Sequence, residues 1–342
     1  MNTNLVDTLE KEEDIWNVDL QVTPSPSQSV VIEHPGHTLC SGVPGCGKTF
    51  IIEERAEEDG ATIDPADCLV LVFARRSRAV VVDRMEKRCL VNEVSTIHSH
   101  RLRHLKLKFV NYEDLLRIRV PGEKQYLRIY LDEIQDISKA QWEIAKSLLL
   151  PQGIMFGIGD PYQSVFAWVG AYKHVFEDFE KTYKTKCIEL LVNRRSGRKI
   201  VEAAEKIYPR GMTAFRDFDG SVTFGMPEDM SDLLILARTN SIIKGVSWVL
   251  KRRGIEHHLS LKGDKDESDY VEQGISVLRT CTRSKGEERR RVLVIDWQSD
   301  DSNGDRRLFY TAITRARDEL YIAETGLRPS IFLRSILDGR GL

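Results

Sequence analysis

The chain of 342 residues, 41% hydrophobic and 30% charged, is long enough for two globular domains. Its formal charge of −2 excludes a uniformly basic nucleic-acid coat, so any contact with nucleic acid has to be local. Six scattered cysteines without a CxxC pair or a Cys/His cluster, no leader-like pattern and no apolar run near the ~18 residues of a membrane span lead us to expect a cytoplasmic protein that meets no membrane.

Residues 1–22 read as an acidic tail, followed by the Pro- and Ser-rich stretch Thr23 to Ser29. β-Branched runs then appear at 68–73, 126–133 and 153–160, separated by helical stretches such as KTFIIEERAEE (48–58) and KAQWEIAKSLLL (139–150). A second series places strands over 187–193, 232–238, 291–297 and 319–324, with helices near 198–208, 241–253 and 306–317. This alternation predicts an α/β fold built on parallel sheets. We place one lobe at 23–189, with a short insertion near 100–125, and a second at 190–342.

The segment GVPGCGKT, Gly42 to Thr49, fits the phosphate-loop pattern and joins an apolar run to a helical one, the context that pattern needs. Gly45, Cys46 and Gly47 close backbone amides around phosphate oxygens, Lys48 reaches the β- and γ-phosphates, and Thr49 offers a hydroxyl to magnesium, with Phe50 next on the helix. Such a site needs a carboxylate at the end of a neighbouring strand. Asp132 and Glu133 supply it, Asp132 for the metal and Glu133 as general base for the attacking water. An acidic pair after a strand also serves as a helix cap, so this assignment rests on its pairing with the loop. ATP and Mg2+ are the expected ligands.

Further segments arrive in a fixed order: Gln28, 20 positions before Lys48, then GDPYQSVFAWVGA (159–171), NRRSGRKIVEAA (193–204), RTCTRSKGEE (279–288) and YTAITRAR (310–317). Over about residues 25–325 the chain resembles the UvrD/Rep-type superfamily 1 helicases. That resemblance implies two RecA-like parallel-sheet lobes with an ATP site in the cleft between them. It implies that Gln28 reads adenine, Gln163 senses the γ-phosphate, Arg195 and Arg315 reach that phosphate across the cleft, and Glu288, after Gly286, holds the ribose. It also implies base stacking by Trp168, with Phe166 beside it, and strand contacts from FARRSRA (73–79) and STIHSH (95–100), hence Arg75, Arg76 and His98. Arg238 and Thr280 are the strand-contacting candidates of the second lobe. A core tryptophan is the competing reading of Trp168, and a solvated helix face that of the basic run 98–108.

The implied activity is that of an ATP-dependent helicase or translocase moving 3′ to 5′ on single-stranded DNA, driven by closure of the two lobes. Arg194 stands where the family carries an aromatic that stacks on adenine, and Thr282 where a histidine is usual. Only 31 residues separate His100 from Asp132, and about 40 separate Arg238 from Thr280, places where larger members insert whole subdomains. Duplex separation is therefore expected to need self-association or a protein partner. The alternatives are an RNA helicase of the viral superfamily 1 type, a nucleotide-gated nucleic-acid-binding module that unwinds only with a partner, and a generic phosphate-loop kinase or transferase.

Overall fold

A computed structural model describes residues 23–73, 75–104, 118, 125–166, 170–261, 270, 273–295, 303–324 and 330–338, without the side chains of 75–77, 104, 303 and 338. The acidic tail 1–22, most of the expected insertion and Trp168 lie outside the described residues, as do the side chains of Arg75 and Arg76.

The first half runs α1 (Pro26–Ile32), β1 (Thr38–Gly42), α2 (Lys48–Gly60), β2 (Cys68–Leu71), α3 (Arg75–Lys87), β3 (Glu93–Ser95) and α4 (Ile97–His104). It continues through β4 (Tyr126–Leu131), α5 (Lys139–Ser147), β5 (Leu149–Gly159), α6 (Val175–Tyr183) and β6 (Cys187–Leu190). Its six strands form one sheet in the order β3-β2-β4-β5-β1-β6. Every neighbouring pair is parallel, with Cys40 opposite Ile158 on one side and Ile188 on the other. β1 and β2 are buried along their whole length, as a parallel sheet covered on both faces requires.

Helix α2 buries Ile51, Ile52, Arg55, Ala56 and Asp59, one face at helical spacing. The apolar end of KAQWEIAKSLLL departs from the helix expected over 139–150: α5 stops at Ser147, and Leu149 pairs with Tyr126 as the first residue of β5. Periodicity alone cannot separate a helix end from an adjoining buried strand when both are leucine.

The second half runs β7 (Val192–Asn193), α7 (Arg198–Ile207), β8 (Thr213–Ala214), β9 (Ser221–Phe224), β10 (Leu233–Ala237), α8 (Asn240–Arg252) and β11 (His257–Leu259). Then follow β12 (Ser276–Thr280), β13 (Arg289–Ile295), α9 (Asn303–Ile313), β14 (Ala316–Ala323) and α10 (Ile331–Asp338). A second all-parallel sheet has the order β11-β12-β10-β13-β14-β9, while β7 and β8 pair separately. One buried apolar cluster runs unbroken from Cys40 and Ile158 through Leu190, Ile200 and Met212 to Leu234 and Val292, so the two sheets share a core.

These two sheets present opposite strand ends to one another. β1, β4 and β5 end at Gly42, Leu131 and Gly159, which collects the phosphate loop, the acidic pair and Asp160–Gln163 at one carboxyl edge, where ligands of open α/β sheets bind. From the other side, Glu288 immediately precedes β13 and Arg315 immediately precedes β14, at amino ends that pair through Arg289 and Ala316.

Candidate functional site

The phosphate loop is shaped by two left-handed glycines, Gly45 at φ +71° and Gly47 at φ +89°. A Cβ on Gly45 would lie 2.6 Å from Arg195 Cβ and 3.0 Å from Asn193 Oδ1, because the segment after β7 packs directly on the loop. The Arg194 amide donates to Gly45 O at 2.9 Å. Gln28 serves the loop from the other side: its Nε2 donates to Cys46 O at 2.9 Å while its Oε1 accepts from Ser25 N at 3.0 Å. In this arrangement the amide of Gln28 is committed to the chain's own backbone.

Lys48 Nζ donates to Gly42 O at 3.3 Å, and the Thr49 hydroxyl donates to Asp132 Oδ2 at 3.4 Å. Glu133 follows at φ +53°, a left-handed conformation that a non-glycine residue adopts at a cost and that is common at functional sites. Gln135 Nε2 donates to the Glu133 carboxylate, and Lys285 reaches across from the second sheet to lie 3.5 Å from Glu133 and in direct ion-pair contact with Asp136. Burial and the adjacent Glu133 charge raise the Asp132 carboxyl. Burial would raise Glu133 too, but the Lys285 and Lys48 ammonium groups outweigh it and hold Glu133 ionised.

From the second half, Arg315 Nη2 donates to Gln163 Oε1 at 3.2 Å, with its Nε on Thr311 O at 3.0 Å and Nη1 on Glu287 O at 3.2 Å. Burial and the neighbouring Arg195 charge bring the Arg315 guanidinium down to about 10. Arg195 is itself ion-paired with Glu288 and donates to Thr314 O at 3.1 Å. The residues expected at the γ-phosphate and at the ribose thus touch one another.

Between these groups lies a cavity of about 320 Å³ lined by Gly45, Gly47, Lys48, Thr49, Phe50, Glu133, Gln163, Arg194, Arg195, Gly286, Glu288 and Arg315, together with Pro44 and Arg84. A second cavity of about 210 Å³ adjoins it and is lined by Thr49, Asp132, Glu133 and Lys285, among others. The donor set fits a triphosphate with a hard divalent cation. Cationic groups converge from both sheets, the buried Gln163 Nε2 has no hydrogen-bond partner among the described residues, and a hydroxyl faces a buried carboxylate.

Several participants were not singled out by sequence. Lys285 is one, although it lies within RTCTRSKGEE, and Gln135 and Asp136 are others. Phe215 is another: the Arg194 guanidinium lies 4.2 Å over its ring, so the group that replaces the usual aromatic has an aromatic beneath it. Spacing carries no signal for that pair, which is joined only through the pairing of β7 with β8.

The strand-contacting candidates are placed less uniformly. Phe166 is half-buried, 5.0 Å from the Phe73 ring and with Lys285 Nζ 5.8 Å from its own ring centroid. His98 is half-buried on α4. Arg238 follows β10 and is ion-paired with Asp305 at 3.0 Å. Thr280 ends the adjacent β12, is buried, and lies with its hydroxyl 3.2 Å from that of Thr282.

Residues 115–184 match the UvrD/REP helicase N-terminal domain and residues 276–323 the UvrD-like helicase C-terminal domain. The chain is 23% identical over 256 residues to the ATP-dependent DNA helicase PcrA of Bacillus subtilis, a match over 61% of this chain and 34% of that protein. It is 30% identical over 217 residues to the ATP-dependent DNA helicase UvrD1 of Mycobacterium bovis, over 49% of this chain and 28% of that protein. The chain thus covers about a third or less of these relatives. Among solved structures, arterivirus nonstructural protein 10 (helicase) in complex with DNA superposes with a TM-score of 0.52 at 16% identity, over 91% of this chain and 65% of that one, a likeness of fold. The two segment matches, the homologous relatives and the paired parallel sheets agree in likening the chain to the UvrD/Rep-type helicases of superfamily 1.

Proposed function

We propose that the chain is an ATP-driven motor of the helicase or translocase type that moves on single-stranded DNA, 3′ to 5′. The observation that carries this reading is the contact of Arg315 with Gln163, which brings a guanidinium from one sheet against the phosphate-site edge of the other. Lys48 and the loop amides bind the β- and γ-phosphates, Glu133 orients and deprotonates the attacking water, and Arg195 and Arg315 neutralise charge developing on the transferred phosphoryl group. Thr49 and Asp132 are the residues that would hold Mg2+, whose contribution when bound is to draw charge from the phosphate oxygens. Because the arginines belong to the second half of the chain, they act only when the two halves are docked, and that dependence turns hydrolysis into relative movement.

The relatives' names, ATP-dependent DNA helicases, support DNA as the track. The short connections in both halves support a motor core that translocates unaided and separates duplexes only as an oligomer or with a protein partner. The free thiols fit a reducing, cytoplasmic setting, and no helix among the described residues is long and apolar enough to cross a membrane.

The test is ATPase rate with poly(dT), with poly(U) and with neither, for the wild type and for Lys48→Ala and Glu133→Gln, followed by unwinding of duplexes carrying a 3′ or a 5′ tail. Stimulation by poly(dT), lost in both variants, and preference for a 3′ tail are expected. Full activity in either variant refutes the reading, and stimulation by poly(U) alone transfers it to RNA.

A further inference from the structure

Arg210 lies outside every motif quoted above, yet its side chain occupies an enclosed polar junction between the two halves of the chain. Its Nη1 pairs with Asp160 Oδ1 at 2.8 Å, with the arginine side chain 4% exposed and the aspartate 0%. Its Nη2 donates to Ser41 Oγ at 3.1 Å, on the strand that leads into the phosphate loop, and its guanidinium carbon lies 4.4 Å over the Tyr162 ring. Asp160, Ser41 and Tyr162 belong to the first half; Arg210 belongs to the second.

Arg210 is held rigidly from behind. The Glu205 carboxylate of α7 accepts from the backbone amides of Arg210, Gly211 and Met212, at 3.0, 2.9 and 2.9 Å. Tyr208 and Tyr310, whose rings lie 5.3 Å apart, complete the wall, with Tyr162 4.8 Å from Tyr208. On the other side Asp160 leads back to the chemistry: its amide donates to Gln135 Oε1 at 2.9 Å, and Gln135 donates through Nε2 to Glu133. An unbroken line of polar contacts therefore joins α7 to Arg210, Asp160, Gln135 and Glu133, and none of the first four touches the cavity that we assign to nucleotide.

We propose that Arg210 is a positioning residue, which ties the docking of the second sheet to the orientation of the Glu133 carboxylate through Asp160 and Gln135. An amide side chain holding two partners turns when one of them moves, and Asp160, wholly buried with Oδ2 unpartnered among the described residues and Oδ1 shared between Arg210 and the Tyr162 amide, loses its paired cation when Arg210 withdraws. Lys285 contacts Glu133 directly; Arg210 would act through the backbone that follows β5 and so govern where Glu133 points. The rate effect rests on the hydrolytic reading above, whereas the structural effect does not.

The experiment compares the wild type with Arg210→Met, Arg210→Lys, Asp160→Asn and the Arg210→Met/Asp160→Asn double variant, full-length chains checked for native circular dichroism. Hydrogen exchange of peptides covering 132–136 and 159–164 is measured first. Fivefold or greater acceleration there in Arg210→Met or Asp160→Asn, with exchange in β10 and β13 unchanged, is expected. Unchanged exchange at 132–136 overturns the proposal, whether or not the chain proves to be a motor.

Steady-state ATPase at saturating poly(dT) follows. We expect kcat to fall at least tenfold in Arg210→Met with KM for ATP within twofold, substantial recovery in Arg210→Lys, and a double variant no slower than the slower single. Wild-type kcat in folded Arg210→Met, or multiplicative losses in the double variant, overturns it. Should Arg210→Met not fold, Asp160→Asn and Arg210→Lys carry the same comparison. A wild type without strand-stimulated hydrolysis defeats the motor reading alone, and the exchange data still decide the role of Arg210.

Discussion

Arg315 Nη2 and Gln163 Oε1 stand 3.2 Å apart, both side chains buried, one from the segment before β14 and the other from the turn after β5. This hydrogen bond is one of the contacts that join the two sheets at the point where the phosphate loop, Glu133 and Glu288 line one cavity. On the proposed mechanism, Arg315→Ala lowers kcat by about a thousandfold or more, the scale of an arginine acting across a cleft, with nucleotide affinity changed far less. Single-turnover hydrolysis alongside equilibrium nucleotide binding separates the two quantities. A loss confined to binding would remove Arg315 from the chemistry.

Lys285 neutralises Asp136 and Glu133 inside a buried pocket. Lys285→Met leaves the Asp136 carboxylate, 0% exposed, without its cation, and removal of one partner of a buried pair costs about 3–5 kcal/mol. Urea unfolding of Lys285→Met against the wild type measures this, and Asp136→Asn added to it should restore part of the loss. A midpoint equal to that of the wild type would mean that the pair is solvated.

The exposed Phe215 ring, 62% accessible, supports the Arg194 guanidinium at 4.2 Å. An exposed cation–π contact contributes about 0.5–1 kcal/mol, so Phe215→Ala should raise the nucleotide Kd roughly two- to fivefold, with kcat unchanged. Phe215→Trp should bind as tightly as the wild type. Equal affinity in all three would leave Arg194 free of any platform role.

Gly45 cannot carry a side chain without moving the segment that contains Arg195. Its φ of +71° alone makes Gly45→Ala cost about 1 kcal/mol or more, and the 2.6 Å approach to Arg195 Cβ adds displacement of the arginine itself. We expect nucleotide affinity and kcat to fall together, read by equilibrium titration and steady-state rates on one preparation. Gly60→Ala, with nothing within 4 Å of the added carbon, is the matching control.

Much of the architecture was legible before any coordinates. The strands expected over 232–238, 291–297 and 319–324 correspond to β10, β13 and β14, and the helix near 198–208 to α7, because buried parallel strands and amphipathic helices write their periods into composition. The short strands β3, β8 and β11 were not foreseen, since two or three residues cannot show a period. Nor was the start of β5 at Leu149, where strand and helix share one apolar run.

The candidate groups at each end of the site were carried locally: Gly45, Gly47 and Lys48 by the phosphate-loop spacing, Asp132 and Glu133 by two acids ending an apolar strand. How those ends are joined was not. That Lys285 neutralises Asp136, that Phe215 lies under Arg194, and that Arg210 closes on Asp160 depend on which strand edges face one another. The partners in these contacts are 149, 21 and 50 positions apart. Local pattern fixes what a residue can do; the free energy of packing two sheets on one apolar core decides which residue it does it with.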